Sequence, residues 1–268
     1  MAQRSIFKLF GNEEDAHQWK IKYSNQGMNQ YINAFLKPSS FPYLKDNFGG
    51  AMLDSVASLD TKVFLDSSRK HFEKRHLCLD QRFDYDLIDL KRSSYKDYTF
   101  NRIIFAEGYF VKDNPYFNAL PLSPTKGEVM TIKIPSHQKF NHCISKGIYI
   151  IPLGNHLYRV GSTYHHKDFN DLVTDEGKQH IHRQLKSIFK TEYIEVQTDA
   201  GVRPTVRDRK PLLGLHPFNP KFGVFNGLGT RGALQGPLLS GEFCSFLTNS
   251  TVKTQIADFQ RITRFLKP

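Results

Sequence analysis

A chain of 268 residues with 37 Lys and Arg against 26 Asp and Glu, a net charge of +11 and 39% hydrophobic residues can form one large or two ordinary water-soluble domains. No run approaches the ~18 apolar residues of a membrane-crossing helix and no apolar segment follows a basic start, so a cytoplasmic protein without a membrane span is expected. Cys78, Cys143 and Cys244, odd in number and without Cys-x-x-Cys spacing, exclude a complete disulfide framework, and the dispersed basic residues read as a solvated surface rather than a nucleic-acid patch.

In chain order, residues 1–56 carry Phe7, Phe10 and Trp19 among charged residues and then lose periodicity through Ser39-Ser40-Phe41-Pro42. This segment is expected to be helical and to cover another part of the fold. Asp60 can cap a helix over about Thr61 to Lys74, with Val63, Phe64, Leu65 and Phe72 near one side. Arg102 to Ala106 reads as a short buried strand closed by Glu107-Gly108. Three β-rich runs follow, Glu128 to Ile134, Ile148 to Leu153 and Leu157 to Thr163, separated by turn residues as in an antiparallel sheet.

Thr174, with Asp175 and Glu176 behind it, opens a helix whose Ile181, Leu185, Ile188 and Phe189 recur at helical spacing and should pack on that sheet. Tyr193 to Thr198 is a further strand candidate, leading into Gly201-Val202-Arg203-Pro204. Gly223 to Asn226 is the last, leading into Gly227-Leu228-Gly229. The closing helix is expected to begin near Gly236-Pro237, with Leu238, Leu239, Phe243, Phe246 and Leu247 as its buried face.

Several chemistries find no support in the residue pattern. His165-His166 and His180-x-His182 lack the i, i+4 spacing of a helical zinc site, so no metal is expected. The serines show no Gly-x-Ser-x-Gly elbow, and no Walker-type phosphate loop occurs.

The final third holds the most specific pattern: Gly201-Val202-Arg203-Pro204-Thr205, then Asp208, Pro211 and Gly214, then Gly227-Leu228-Gly229-Thr230-Arg231-Gly232. It resembles the C-terminal signature of the D-amino-acid oxidase and glycine oxidase superfamily of FAD-dependent oxidoreductases. Glycines let backbone amides approach a flat ring or a phosphate, and the following helix start carries about half a positive charge. The resemblance implies that Gly227, Gly229, Thr230, Arg231 and Gly232 bind FAD. Ala106-Glu107-Gly108 resembles the family's strand-end Ala-x-Gly, which adds Gly108 to the cofactor candidates. Pro124-Thr125-Lys126-Gly127-Glu128 resembles its crossover into the substrate sheet.

Arg203 matches the family arginine that pairs with the substrate carboxylate, a task suited to the guanidinium fork. Tyr149, in Gly147-Ile148-Tyr149-Ile150-Ile151-Pro152, matches the tyrosine that lines the substrate pocket. A salt-bridged strand-end arginine and a core tyrosine remain the alternatives, and Tyr158 and Tyr164 are further candidates of the same kind.

The implied fold is α/β with an α+β insertion: an incomplete Rossmann-like FAD-binding domain and an antiparallel-sheet substrate domain, interleaved in sequence. Residues 57–119 and 199–268 would form the first and residues 120–198, with their helix, the second. The family opens with a βαβ unit carrying Gly-x-Gly-x-x-Gly, and no such motif follows an early strand here. The sequence is therefore expected to be a truncated or split version of a longer enzyme acting on a small amine or amino acid. The alternative is an inactive remnant, or a subunit whose partner chain supplies the missing unit.

Overall fold

The computed structural model describes residues 2–25, 27–248 and 257–267. In chain order its strands are β1 (Ala2–Leu9), β2 (Ile32–Leu36), β3 (Gly50–Ser58), β4 (Ile88–Asp89), β5 (Ser94–Tyr95), β6 (Tyr98–Thr99), β7 (Ile103–Phe105), β8 (Thr125–Lys133), β9 (Cys143–Lys146), β10 (Ile148–Gly154), β11 (Leu157–Gly161), β12 (Ile194–Arg203), β13 (Leu212–His216) and β14 (Asn219–Asn226). The helices are α1 (Glu13–Ser24), α2 (Thr61–Glu73), α3 (Asp175–Ile188) and α4 (Gly232–Leu247). The chain divides into two units, residues 1–60 with 126–201 and residues 61–125 with 202–268.

The first unit is built on an eight-stranded sheet in the order β12-β8-β11-β10-β9-β1-β3-β2. Among β1–β3 and β8–β11 the neighbouring strands are antiparallel except for β1 with β9. Alternation along β8, β10 and β11 sends Met130, Ile132, Ile148, Ile150 and Val160 to one face, where they meet Ile181, Leu185 and Ile188 of α3 in a buried cluster. Burying each such side chain contributes about 1.5–3 kcal/mol.

The start of α3 is tied to the sheet. Thr174 caps the helix by accepting from the Gly177 amide at 3.1 Å. Its own amide and hydroxyl donate to Oε1 of the fully buried Glu128 on β8 at 2.7 and 2.8 Å. A Cβ on Gly177 would overlap Oε2 of Glu128, so glycine is what lets the helix approach this carboxylate.

The expectation of a helical cover over residues 1–56 is corrected here: β1, β2 and β3 belong to the large sheet, and only α1 is helical at length. The reason is period-2 burial in β1, where Phe7 and Leu9 join the core beneath α3. Phe10 and Ala51 form a smaller cluster with Trp19 of α1.

The second unit has a three-stranded sheet, β13-β14-β7, with β13 and β14 antiparallel and β14 and β7 parallel. A second small sheet, β4-β5-β6, is antiparallel. Phe105, Phe117, Leu212, Phe222, Val224 and Ile262 make one core cluster of the unit, and Leu213, Leu239, Phe243 and Phe259 another.

Helix α2 lies over the residues that the periodicity indicates, yet none of its side chains is buried: Val63 is 60% exposed, Phe64 51%, Leu65 63% and Phe72 48%. Helix α4 begins at Gly232, earlier than Gly236-Pro237, because a 3-10 turn over Gly229–Arg231 runs directly into it. Pro237 thus falls inside the helix, where its missing N–H removes one bond near the start. Of the face expected to be buried, Leu239 and Phe243 are, Phe246 and Leu247 are partly so, and Leu238 is exposed.

Candidate functional site

Strands β7 and β14 are parallel neighbours, so their carboxyl ends open on the same side of the small sheet, where ligands of open α/β sheets bind. Just beyond those ends the Nδ2 of buried Asn226 donates to the Gly108 carbonyl at 2.7 Å, and Asn226 Oδ1 accepts from the Gly227 amide at 2.8 Å. One side chain thereby fastens Ala106-Glu107-Gly108 to the glycine turn. Gly227 has φ +75°, and a Cβ there would come within 2.9 Å of Val206 Cγ2, so another residue would be both strained and crowded.

The turn also meets the Arg203 segment. The Gly229 amide donates to the Pro204 carbonyl at 3.3 Å, and the Thr205 amide donates to the Arg203 carbonyl at 2.8 Å. Arg203 itself is half-buried at the end of β12, where the chain passes into the second unit. Thr230 and Arg231 are exposed and Gly232 is half-buried at the helix start, which has no side-chain cap. Beside Gly108 the space a Cβ would fill is open for 4 Å. The structure thus gathers Gly108, Arg203, Gly227, Gly229, Thr230, Arg231 and Gly232 around one turn.

Residues 227–232 have the spacing Gly-x-Gly-x-x-Gly, between a strand and a helix. That context lets backbone amides meet a ring oxygen or a phosphate. Three site residues lay outside the sequence reading: Asn226, Tyr85 and Asn114. The Tyr85 hydroxyl donates to Glu107 Oε1, and Asn114 Nδ2 donates to Glu107 Oε2 at 2.8 Å. Burial first, and then the hydrogen bond to Glu107, push the Tyr85 hydroxyl well above its ordinary pKa. Phe83, Tyr85, Glu107 and Phe110 help to line a cavity of about 890 Å³ beside this segment. None of these residues belongs to a recognisable spacing, so only the folded chain reveals them.

A second network holds the Arg203 side of the turn. Nη1 of buried Arg261 donates to the Lys210 and Pro211 carbonyls at 2.8 and 2.9 Å, and Nη2 pairs with Asp208 Oδ2 at 2.6 Å. Partial burial would raise the Asp208 carboxyl, but the Lys210 amide and Arg261 outweigh it and hold its pKa low.

Tyr149 lies in the first unit, exposed on the face of β10 opposite the buried Ile148 and Ile150. Tyr158 is a core residue: its hydroxyl accepts from the Phe140 amide at 3.0 Å and donates to the Phe140 carbonyl at 3.2 Å. Tyr164 is exposed. No cluster of metal-ligating side chains occurs among the described residues, and no helix among them is long and apolar enough to cross a membrane.

Parallel strands that end on a glycine turn and a helix start define a nucleotide-cofactor class of α/β protein, here joined to a large sheet unit. Residues 2–244 match the DAO family, described as FAD dependent oxidoreductase, and the chain belongs to that family. A glycine oxidase from Bacillus licheniformis is 27% identical over 139 residues, 49% of this chain and 36% of that protein. The tRNA 5-methylaminomethyl-2-thiouridine biosynthesis bifunctional protein MnmC of Haemophilus ducreyi is 23% identical over 185 residues, 56% of this chain and 28% of that protein. The match therefore spans about a third of the length of these curated relatives. The crystal structure of glycine oxidase from Geobacillus kaustophilus shares the fold with a TM-score of 0.79 at 20% identity, covering 96% of this chain and 74% of that one.

The cofactor of the family is FAD, and the residues present fit its ring-bearing end. The fit rests on open space beside Gly108, an uncapped helix start at Gly232 and the Asn226 clamp between them.

Proposed function

We propose that this chain carries the flavin-ring and substrate-binding parts of an FAD-dependent oxidoreductase that acts on the C–N bond of an amino acid or amine. The observation that carries the reading is the Asn226 clamp, which sets Gly108 against the 227–232 turn at the carboxyl ends of two parallel strands. FAD, when bound, supplies the acceptor for the hydride removed from the amine-bearing carbon, leaving an imine that water hydrolyses. The chain's own residues bind and orient. Gly108 and Gly232 leave room for the ring to approach the backbone, Gly227 and Gly229 shape the turn through their positive φ angles, and Thr230 and Arg231 add a donor and a positive charge at the helix start. Arg203 holds the substrate carboxylate with two parallel hydrogen bonds, and Tyr149, in the first unit, is a separate substrate-binding candidate. Positioning of this kind lowers a barrier by several kcal/mol without a general base.

The test is anaerobic bleaching of the FAD-loaded chain by glycine, N-methylglycine and simple amines, in wild type and Arg203→Leu. Carboxylate-bearing amines should reduce the flavin in wild type, and the substitution should abolish this. Equal reduction in Arg203→Leu would remove the assignment.

The second reading is a subunit that works only with a partner chain, or an inactive remnant. The exposed apolar residues of α2 favour the partner-dependent form, because exposed apolar side chains clustered on one element mark contact surfaces. A chain that takes up FAD and turns over by itself would exclude it.

A further inference from the structure

Strand β1 enters the large sheet in the order β9-β1-β3-β2. Its ladder with β3 slips between Arg4 and Ile6, and across from that slip Ser55 has φ +61°, a left-handed conformation that costs a serine free energy. Bulged ladders of this kind re-aim the side chains beside them. Here Arg4, Ser5, Asp54, Ser55, Asn141 and His142 line one cavity of about 690 Å³, with every one of these residues in the first unit.

The two charged groups in this wall are half-buried and held from opposite sides. Arg4 Nη1 donates to the Asn141 carbonyl, just ahead of β9, at 3.4 Å, while Asp54 Oδ2 accepts from Asn33 Nδ2 of β2 at 2.6 Å. Neither group forms an ion pair among the described residues, and the Arg4 Nε is enclosed without a hydrogen-bond partner. His142 adds no positive charge at neutral pH, because burial pushes its pKa down to about 4. A guanidinium and a carboxylate drawn partly out of water, facing one space without meeting, cost free energy that a ligand bearing one charge of each sign would offset. A simple anion would be repelled by Asp54 and a simple cation by Arg4.

We propose that this cavity binds an α-amino acid as its zwitterion, with the carboxylate on Arg4 and the ammonium on Asp54. The volume leaves room for a side chain, and the hydroxyls of Ser5 and Ser55 suit a polar one. The inference goes beyond the oxidoreductase reading and uses none of the residues assigned to it.

The experiment is calorimetric titration of the 268-residue chain carrying Arg203→Leu, so that the carboxylate contact of the proposed substrate site does not contribute. The probes are L-serine, N-acetyl-L-serine, which lacks the ammonium, and L-serinamide, which lacks the carboxylate. L-serine should bind at least about tenfold more tightly than either derivative, the worth of one charge-assisted hydrogen bond. Adding Arg4→Gln or Asp54→Asn should each weaken L-serine by a similar factor with an unchanged circular dichroism spectrum, and Arg4→Lys should keep part of the affinity. Should Arg4→Gln perturb the fold, Asp54→Asn decides alone. No binding of L-serine, equal binding of either derivative, or undiminished affinity in a folded Arg4→Gln or Asp54→Asn variant would each overturn the proposal. Flavin bleaching in wild type is read separately, so the failure of one reading leaves the other standing.

Discussion

Helices α3 and α2 are equally legible as amphipathic segments, yet they end in opposite situations. Ile181, Leu185 and Ile188 of α3 are fully buried against β8–β11, while every apolar side chain of α2 stays exposed. Periodicity therefore specifies that a helix forms and which side it offers, but not what covers that side. In α3 the cover is supplied by strands of the same unit, and the Glu128–Thr174 contact fixes the approach.

The contrast can be broken or sharpened by substitution. Ile181→Ala empties a close-packed site in the first unit and should cost roughly 4 kcal/mol in urea unfolding, whereas a loss below about 1 kcal/mol would mean that α3 is loosely docked. Lowering the pH tests the same unit at its aromatic end. His142 is packed against Phe41 and Phe140, 4.9 and 5.4 Å between ring centres, and burial pushes its pKa down to about 4. The folded value lies below the unfolded value near 6.5, so the fold favours the neutral ring. Stability is full above about pH 6.5 and falls as the pH drops toward 4, by up to about 3 kcal/mol. Melting temperatures of wild type and His142→Phe between pH 7 and 4 should diverge in that window. Parallel curves would contradict the assignment.

In the second unit, Arg261→Met removes three interactions at once and leaves the Asp208 carboxylate unpaired, for an expected loss of roughly 2 kcal/mol. A change that small or larger shows that this unit is firmly built around the 207–211 loop even though α2 is uncovered. Leu65→Ser on α2 should shift stability by no more than about 0.5 kcal/mol and raise solubility. A large destabilisation there would mean that α2 is covered in solution.

How much of this could be read beforehand depended on distance along the chain. The α3 helix and its strands were legible because their alternation and caps are local. So was the 227–232 turn, whose glycines announce a conformation that few other residues adopt. The N-terminal strands were not. Ile6-Phe7-Lys8-Leu9-Phe10 carries apolar residues on both sides, and β1 pairs with β9, more than 130 residues later in sequence, which no local pattern encodes. Arg203 could be singled out from its Gly-x-Arg-Pro string. Asn226, Tyr85 and Asn114 could not, since their roles arise from strand ends and turns brought together by folding.

The central claim is that Gly108 and the 227–232 turn receive the flavin ring, and titration of FAD with the purified chain, followed by flavin fluorescence, tests it most directly. Saturable quenching in wild type, weakened at least tenfold by Arg231→Glu at this exposed position, is the predicted result. A chain that never alters the fluorescence, or a variant indistinguishable from wild type, would contradict it.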